Sequence, residues 1–197
     1  MDYYLEKLNP ETNSVWDEFV NNHPDGTLYH SSLWMKVLSR TFNYNQFSIA
    51  VKDKNENLIG ILPLMLSKNP ITNSKKISSL PMTTYCNNLL PADIWKEVAN
   101  FIRIKEPHVD YVEFKSIFKI EKPSIHFDES NDYVNHVIEI NHDPDYFFKN
   151  IFNRSLRRKI NNSLKNGLIY QEAESKDDLR KFYNLLKKDV CLLPGAG

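Results

Sequence analysis

Glycine is scarce in this chain, with five residues in 197. So thin a supply excludes collagen-like, linker-like and low-complexity architectures. It also leaves no glycine-rich phosphate cradle, since neither GxGxxG nor GxxxxGK[ST] occurs. Cysteine is scarcer still: Cys86 and Cys191 stand far apart and form no CxxC. That pattern excludes a disulfide scaffold and a cysteine-rich zinc site, and predicts reduced cytosolic thiols. HExxH and GxSxG are absent as well. The six histidines, His23, His30, His108, His126, His136 and His142, show no metal-ligand spacing, so each is assigned to a turn or the surface and no metal is expected.

Net charge is missing too, with 25 basic residues against 25 acidic ones. No global field draws in DNA, and any anion site has to be local. The longest apolar stretch, Leu58 to Leu66, is interrupted by Gly60 and Pro63 and falls far short of the roughly 20 residues that span a bilayer. The start, Met1 to Glu6, carries neither a basic flank nor an apolar run, so no signal peptide is expected. These absences predict a soluble, cytoplasmic protein.

What is present is ordinary globular material: 41% hydrophobic, 12% aromatic and 25% charged residues, enough for one domain and the opening of another. Val15 to Val20 has helical spacing after Asn13 or Ser14, and ends in the turn Asn21 to Gly26. A second helix follows Ser31 or Ser32, with Leu33, Trp34, Val37, Leu38 and Phe42 as its apolar face. Gln46–Val51, the turn Asp53–Asn57 and Leu58–Leu66 read as a hairpin, with Ile77–Leu80 as further extended chain. Pro91 opens a helix stopped by Glu106-Pro107, with Ile94, Val98, Phe101 and Ile102 on one face. Val109–Phe114 and Tyr133–Ile140 read as strands, and a long helix runs from Asp143-Pro144 to a Gly167 cap. Leu168–Ala173 reads as a strand, and Ser175 to Asp178 caps a last helix with Leu179, Phe182, Tyr183, Leu186 and Val190 inward. The order predicts an α/β fold with a mostly antiparallel, mixed sheet flanked by helices.

The most informative segment is Asn153 to Gly167. Phe152, Leu156, Ile160 and Leu164 form one stripe, Arg154, Arg158 and Lys165 gather opposite it, and Arg157 sits at the border. Guanidinium groups at this spacing can converge on one phosphate or carboxylate in a forked geometry. The plainer reading is a solvated basic face near a helix C-terminus, where positive charge relieves the dipole. Lys36 is a second candidate, on the polar side of the second helix with Arg40 one turn later and Trp34 buried beside it. Asp110 and Glu113 fall on opposite faces of a strand and form no acid–base pair. The catalytic residues are therefore unknown.

At these segments the chain resembles the Fem-type aminoacyl and acyl transferases. Tyr29-His30-Ser31-Ser32-Leu33-Trp34-Met35-Lys36 looks like their His/Gln-Ser-x-x-Trp signature. The likeness continues through Leu58–Leu64 and Ser78–Met82, and returns at Leu156–Gly167, which looks like their Arg-Arg-x-Ile-x-x-Ala/Ser-x-x-x-Gly element. The resemblance implies two tandem domains of the GNAT acetyltransferase fold, here residues 1–167 and the opening of a truncated second domain in residues 168–197. It implies transfer of an acyl or aminoacyl group to an amine or hydroxyl of a phosphorylated or lipid-linked cell-envelope or polysaccharide precursor. The co-substrate would be acyl-CoA or aminoacyl-tRNA, with no bound cofactor, and the work would be done in the cytoplasm or peripherally at the membrane. Lys36 and Arg157 would contact the acceptor phosphate, with Arg154 and Arg158 beside them. The heptad arm of members that use aminoacyl-tRNA has no counterpart here. The rival reading is a non-catalytic acceptor-binding domain or an inactive fragment.

Overall fold

The computed structural model describes residues 3–91, 94–116, 128, 130, 134 and 138–191. The chain divides into two compact units, Met1–Asn135 and His136–Gly197.

The first unit is organised by one hairpin that belongs to two sheets. Its outgoing arm comprises β2 (Asn45–Gln46) and β3 (Ile49–Asp53), and its returning arm β4 (Leu58–Leu62) and β5 (Met65–Lys68). The two halves share one register where they meet, with Ile49 opposite Leu62 and Gln46 opposite Met65, and the pairing shifts only between Val51 and Lys52 towards the turn. Between the two halves stands Pro63, which has no N–H to give the ladder. Phe47 N still donates to Leu64 O at 3.0 Å, but Ser48 O turns away and accepts from Leu8 N at 3.0 Å. The single strand expected over Leu58–Leu66 is thus broken. Its outer half joins β1 (Tyr3–Lys7) in a three-stranded antiparallel sheet, β1-β3-β4. Its inner half joins β6 (Lys75–Ser78) and β7 (Tyr111–Glu113) in the order β2-β5-β6-β7, where only β6 and β7 run parallel. The hairpin turn closes on Asp53, whose carboxylate accepts from Asn55 N at 2.8 Å and Asn57 N at 2.9 Å.

Alternation along these strands feeds two cores. Ala50, Ile61 and Met65 face α1 (Ser14–Asn22) and α2 (Ser32–Phe42), meeting Trp16, Val20, Met35 and Leu38. Ile49, Val51, Leu62 and Ile77 face α3 (Trp95–Lys105), meeting Trp95, Val98 and Ile102. Helices therefore cover both faces, and the α/β class with mixed, mostly antiparallel sheets is as the sequence predicts. Asn13 caps α1 and Ser31 caps α2. The face of α2 differs from expectation. Met35 and Leu38 point inward, Trp34 is half-buried, and Leu33 (63% exposed), Val37 and Phe42 face out. Helix α3 starts at Trp95, not at Pro91, and Phe101 is only half-buried.

Gly60 sits where Pro91 and Leu89 cross the sheet. A Cβ there would lie 2.6 Å from Pro91 Cδ and 3.1 Å from Leu89 O. Neither a proline ring nor a bridged backbone carbonyl can swing aside, since Ile61 and Leu89 exchange N–H···O bonds of 2.9 and 3.1 Å. Gly60→Ala should therefore cost about 1–3 kcal/mol in a denaturant melt. A neutral result would mean that the Leu89–Pro91 segment is not seated there.

The second unit holds α4 (Pro144–Tyr146), a π turn over Phe147–Ile151, α5 (Arg154–Lys165) and α6 (Lys176–Cys191). The long helix expected from Asp143 is interrupted at Phe152-Asn153. Asn153 leaves helical geometry, and its side chain accepts from Leu156 N at 2.9 Å, so it starts a new helix instead of continuing the old one. Gly167 ends α5 at φ +71°, as its position predicts. Leu168–Ala173 is not a strand: no ladder partner exists for it among the described residues. Leu179, Phe182, Tyr183 and Leu186 of α6, expected inward, are exposed. The expected strand Tyr133–Ile140 falls largely outside the described residues, as do His126, His136 and residues 192–197; the side chain of Val190 is likewise not described.

Candidate functional site

The motif around α2 is built as a clamp. Thr27 enters a short turn, Leu28–His30, so His30 lies in a turn, one of the two placements expected for it, and it is fully buried there. His30 Nε2 lies 2.8 Å from Asn87 O, so that nitrogen carries the proton. Nδ1 is then free to accept from Thr27 N at 3.1 Å and from Thr27 Oγ1 at 2.8 Å. Its backbone O accepts from Trp16 Nε1 at 2.8 Å. Four residues on, Trp34 Nε1 donates to Thr83 Oγ1 at 2.9 Å. Tyr29 packs on both Trp34 and Tyr85, with centroids 5.7 Å apart in each case.

Both motif side chains thus reach across to one segment, residues 79–87. Its backbone is strained: Leu80 and Met82 hold φ of 51° and 58°, which bulky residues rarely adopt. It stays put because it is tied at many points. Ser79 N donates to Glu113 O at 2.9 Å, Lys115 N to Ser79 Oγ at 2.6 Å, and Cys86 N to Lys115 O at 2.9 Å. Strain held by so many ties is a mark of functional segments. Nothing in the sequence signals it, because neither residue is Gly or Asn. Cys86 itself is buried, and desolvation pushes its thiol up to about 12, which makes it a poor nucleophile.

Burial also lowers the pKa of His30, with hydrogen bonds to Asn87 and Thr27 opposing the shift. A base whose folded pKa is depressed contributes stability that is complete above its unfolded pKa and is lost as pH falls through the folded one. Unfolding temperatures should therefore drop as pH is lowered below about 6.5, and His30→Gln should flatten that part of the profile. An unchanged profile in His30→Gln would show that other groups carry the acid sensitivity.

Lys36 sits on the next turn of α2. It is half-buried and has no carboxylate partner among the described residues. Ser39, one turn further on, lines a polar hollow of about 640 Å³ together with Glu11, Tyr44 and Gln46. A smaller apolar hollow of about 240 Å³ lies between α3 and β7, lined by Trp95, Ile102 and Phe114. Asp110 and Glu113 are both occupied: Asp110 accepts from Lys75 N at 2.6 Å, and Glu113 lies 2.7 Å from Lys76 Nζ. The hydrogen bond from Lys75 N holds the Asp110 carboxyl below its ordinary pKa.

Arg154, Arg157 and Arg158 share α5 in the second unit, while Lys36 belongs to the first. Arg154 and Arg158 are exposed, and Arg157 is half-buried, as a border position predicts. Its Nη1 donates to Lys149 O at 2.9 Å and fastens α5 to the π turn, a role the sequence does not reveal. Among the described residues its guanidinium makes no other bond.

No protein-family model matches the chain, and no curated protein sequence does. Among solved structures it is similar to a GNAT family acetyltransferase of Staphylococcus aureus subsp. aureus USA300_TCH1516, at 11% identity and a TM-score of 0.42 over 70% of this chain and 100% of that one. It is also similar to glucosamine-6-phosphate N-acetyltransferase of Arabidopsis thaliana, at 11% identity and a TM-score of 0.37 over 67% of this chain and 100% of that one. Superpositions this loose do not fix a family. Among the described residues no group of His, Cys, Asp and Glu is placed to hold a metal, and no helix is long and apolar enough to cross a membrane.

Proposed function

We propose that this chain works in acyl transfer of the Fem-like kind on a phosphorylated cell-envelope or polysaccharide precursor, with Lys36 of the first unit and Arg157 of the second each a candidate contact to acceptor phosphate. Residues 1–167 would form the first domain and residues 168–197 the opening of a second, the division that the resemblance implies. The observation that supports this reading best is the build of the α2 motif. His30, Ser31 and Trp34 lock a turn, a helix start and a strained segment together, directly before a lysine with no carboxylate partner among the described residues. Such rigidity suits a binding group that must be held in place before the ligand arrives. The reaction would join an acceptor amine or hydroxyl to an activated carbonyl, displacing the thiol of acyl-CoA or the hydroxyl of aminoacyl-tRNA without a covalent enzyme intermediate. Arg154 and Arg158 would extend the positive field around the acceptor.

Acid–base chemistry is less well provided, because Asp110 and Glu113 are both engaged elsewhere. The expected behaviour of the chain is binding of a phosphorylated acceptor with transfer from acetyl-CoA or aminoacyl-tRNA below about 1 s⁻¹, the low end of ordinary enzymes. Single-turnover and steady-state assays with each donor check this. Faster turnover would show that the 197 residues hold a complete catalytic site. Absence of any acceptor binding would remove the reading altogether.

A further inference from the structure

The two sheets of the first unit part at Pro63, and a polar hollow opens beside that parting. Strand β1 follows β3 as far as Lys7, opposite Ile49, and Leu8 N still meets Ser48 O at 3.0 Å. The chain then leaves through Asn9 into the turn Pro10–Thr12. Strand β2 is therefore left at the edge of its sheet among the described residues. Phe47 N donates to Leu64 O, so antiparallel alternation turns the backbone N–H and C=O of Gln46 the other way, to the side on which Leu8 and Asn9 run. Neither group has a partner among the described residues.

The hollow measures about 640 Å³, within the usual range of small-ligand clefts, about 300–1,000 Å³. Its walls offer donors and acceptors side by side. Glu11 Oε1 accepts from Gln46 Nε2 at 2.5 Å and from Ser39 Oγ at 3.3 Å, and Oε2 has no partner among the described residues. Gln46 Oε1 is covered and also lacks a partner among them, so a donor pressed into the hollow would satisfy it. The exposed amide of Asn45 is unbonded in the same sense. Tyr44, stacked on Phe42 with centroids 5.6 Å apart, adds an aromatic wall.

Charge narrows the choice of ligand. Glu11 and Glu106 line the hollow and disfavour an anion, while Lys7, whose Nζ lies 4.7 Å from the Phe47 ring centroid, lines it too and disfavours a free cation. Lys75 stands 3.9 Å from Glu106, so two positive groups offset two negative ones. The complement is a neutral molecule rich in groups that both give and accept hydrogen bonds, as hydroxyls do. We propose that this hollow binds a sugar ring. Lys36, Arg154, Arg157 and Arg158 do not line it, so the site stands independently of the acyl-transfer reading.

The test is a set of saturation-transfer NMR titrations of the full chain with glucose, galactose, mannose and N-acetylglucosamine. At least one of them should bind, equally well at low and high salt, because a neutral ligand has no charge to screen. Glu11→Ala, Asn45→Ala and Gln46→Leu should each weaken binding by about fivefold, the loss of one hydrogen-bonding group. Urea melts identify the conditions under which each variant is folded, and the titrations are compared there. N-acetylglucosamine and its 1-phosphate then separate two sources of the ring. Equal binding assigns a free sugar, and tighter binding of the phosphate assigns a phosphorylated one. The proposal fails if no neutral sugar binds, or if only the 1-phosphate does. It fails equally if all three variants bind like the parent, since the sugar would then sit elsewhere. Binding of inorganic pyrophosphate, measured without sugar, reports on the acceptor-phosphate contacts, so either reading can fail alone.

Discussion

Trp16→Ala should lower the unfolding free energy by about 3–5 kcal/mol, the usual cost of deleting a fully buried aromatic side chain. Trp16 has no exposed surface and stands between Val20, Met35 and the inner face of the hairpin. Its loss also leaves His30 O without the indole donor it meets at 2.8 Å, in a place that water does not reach. An unpaired buried carbonyl adds about 1–3 kcal/mol of its own. Trp16→Phe separates the two contributions, because most of the packing is kept and only the N–H is lost. Lys36→Ala supplies the opposite limit and should cost under about 0.5 kcal/mol, as a substitution outside the core does. Urea melts read at a constant m-value compare all three. Should Trp16→Ala and Lys36→Ala unfold at similar denaturant concentrations, the first core cluster is not what holds α1 and α2 to the sheet.

The elements that the sequence made legible are those with local chemistry of their own. Asn13, Ser31 and Ser175 start helices because each offers an oxygen to a free N–H, and Gly167 ends one because it accepts a positive φ. The hairpin was legible from the Asp53–Asn57 turn between two apolar runs. The illegible parts are those decided by tertiary partners. Helix α2 is apolar around much of its circumference, so Met35 with Leu38 competes with Leu33 with Val37, and packing against Trp16 chose the first pair. Asn153 stands inside an apolar-periodic run, where periodicity hides a cap. Leu168–Ala173 has strand composition, yet composition supplies no neighbouring strand. In the candidate site, the polar placement of Lys36 and the border placement of Arg157 could be read from helical spacing alone. The burial of His30 and the left-handed Leu80 and Met82 could not, since His30 and the segment around Leu80 are tied to residues far along the chain, Asn87 for the first and Glu113 and Lys115 for the second.

The other large effect is expected on phosphate binding. Arg157→Ala should weaken binding of pyrophosphate, the minimal probe of a phosphorylated acceptor, by tenfold or more. One charge-assisted contact is worth about 1.5–3 kcal/mol, and tenfold corresponds to about 1.4 kcal/mol. Because Nη1 is already engaged with Lys149 O at 2.9 Å, part of the guanidinium is pre-positioned, and the remaining N–H groups, without a partner among the described residues, can fork around an anion. Arg157→Lys should recover little, since an ammonium supplies the charge without the fork. Lys36→Ala should weaken the same ligand as a lost point charge. The decisive comparison is the double substitution. Losses that simply add show two independent contacts, and coupling of at least about 0.5 kcal/mol shows that one contact depends on the other. Melts of Arg157→Ala must accompany the titrations, because the Lys149 tie is lost along with the ligand contact. Isothermal titration at two ionic strengths then separates the outcomes. A loss that vanishes at high salt, or equal binding by Arg157→Ala and the parent, would leave Arg157 a solvated charge with a structural tie and nothing more.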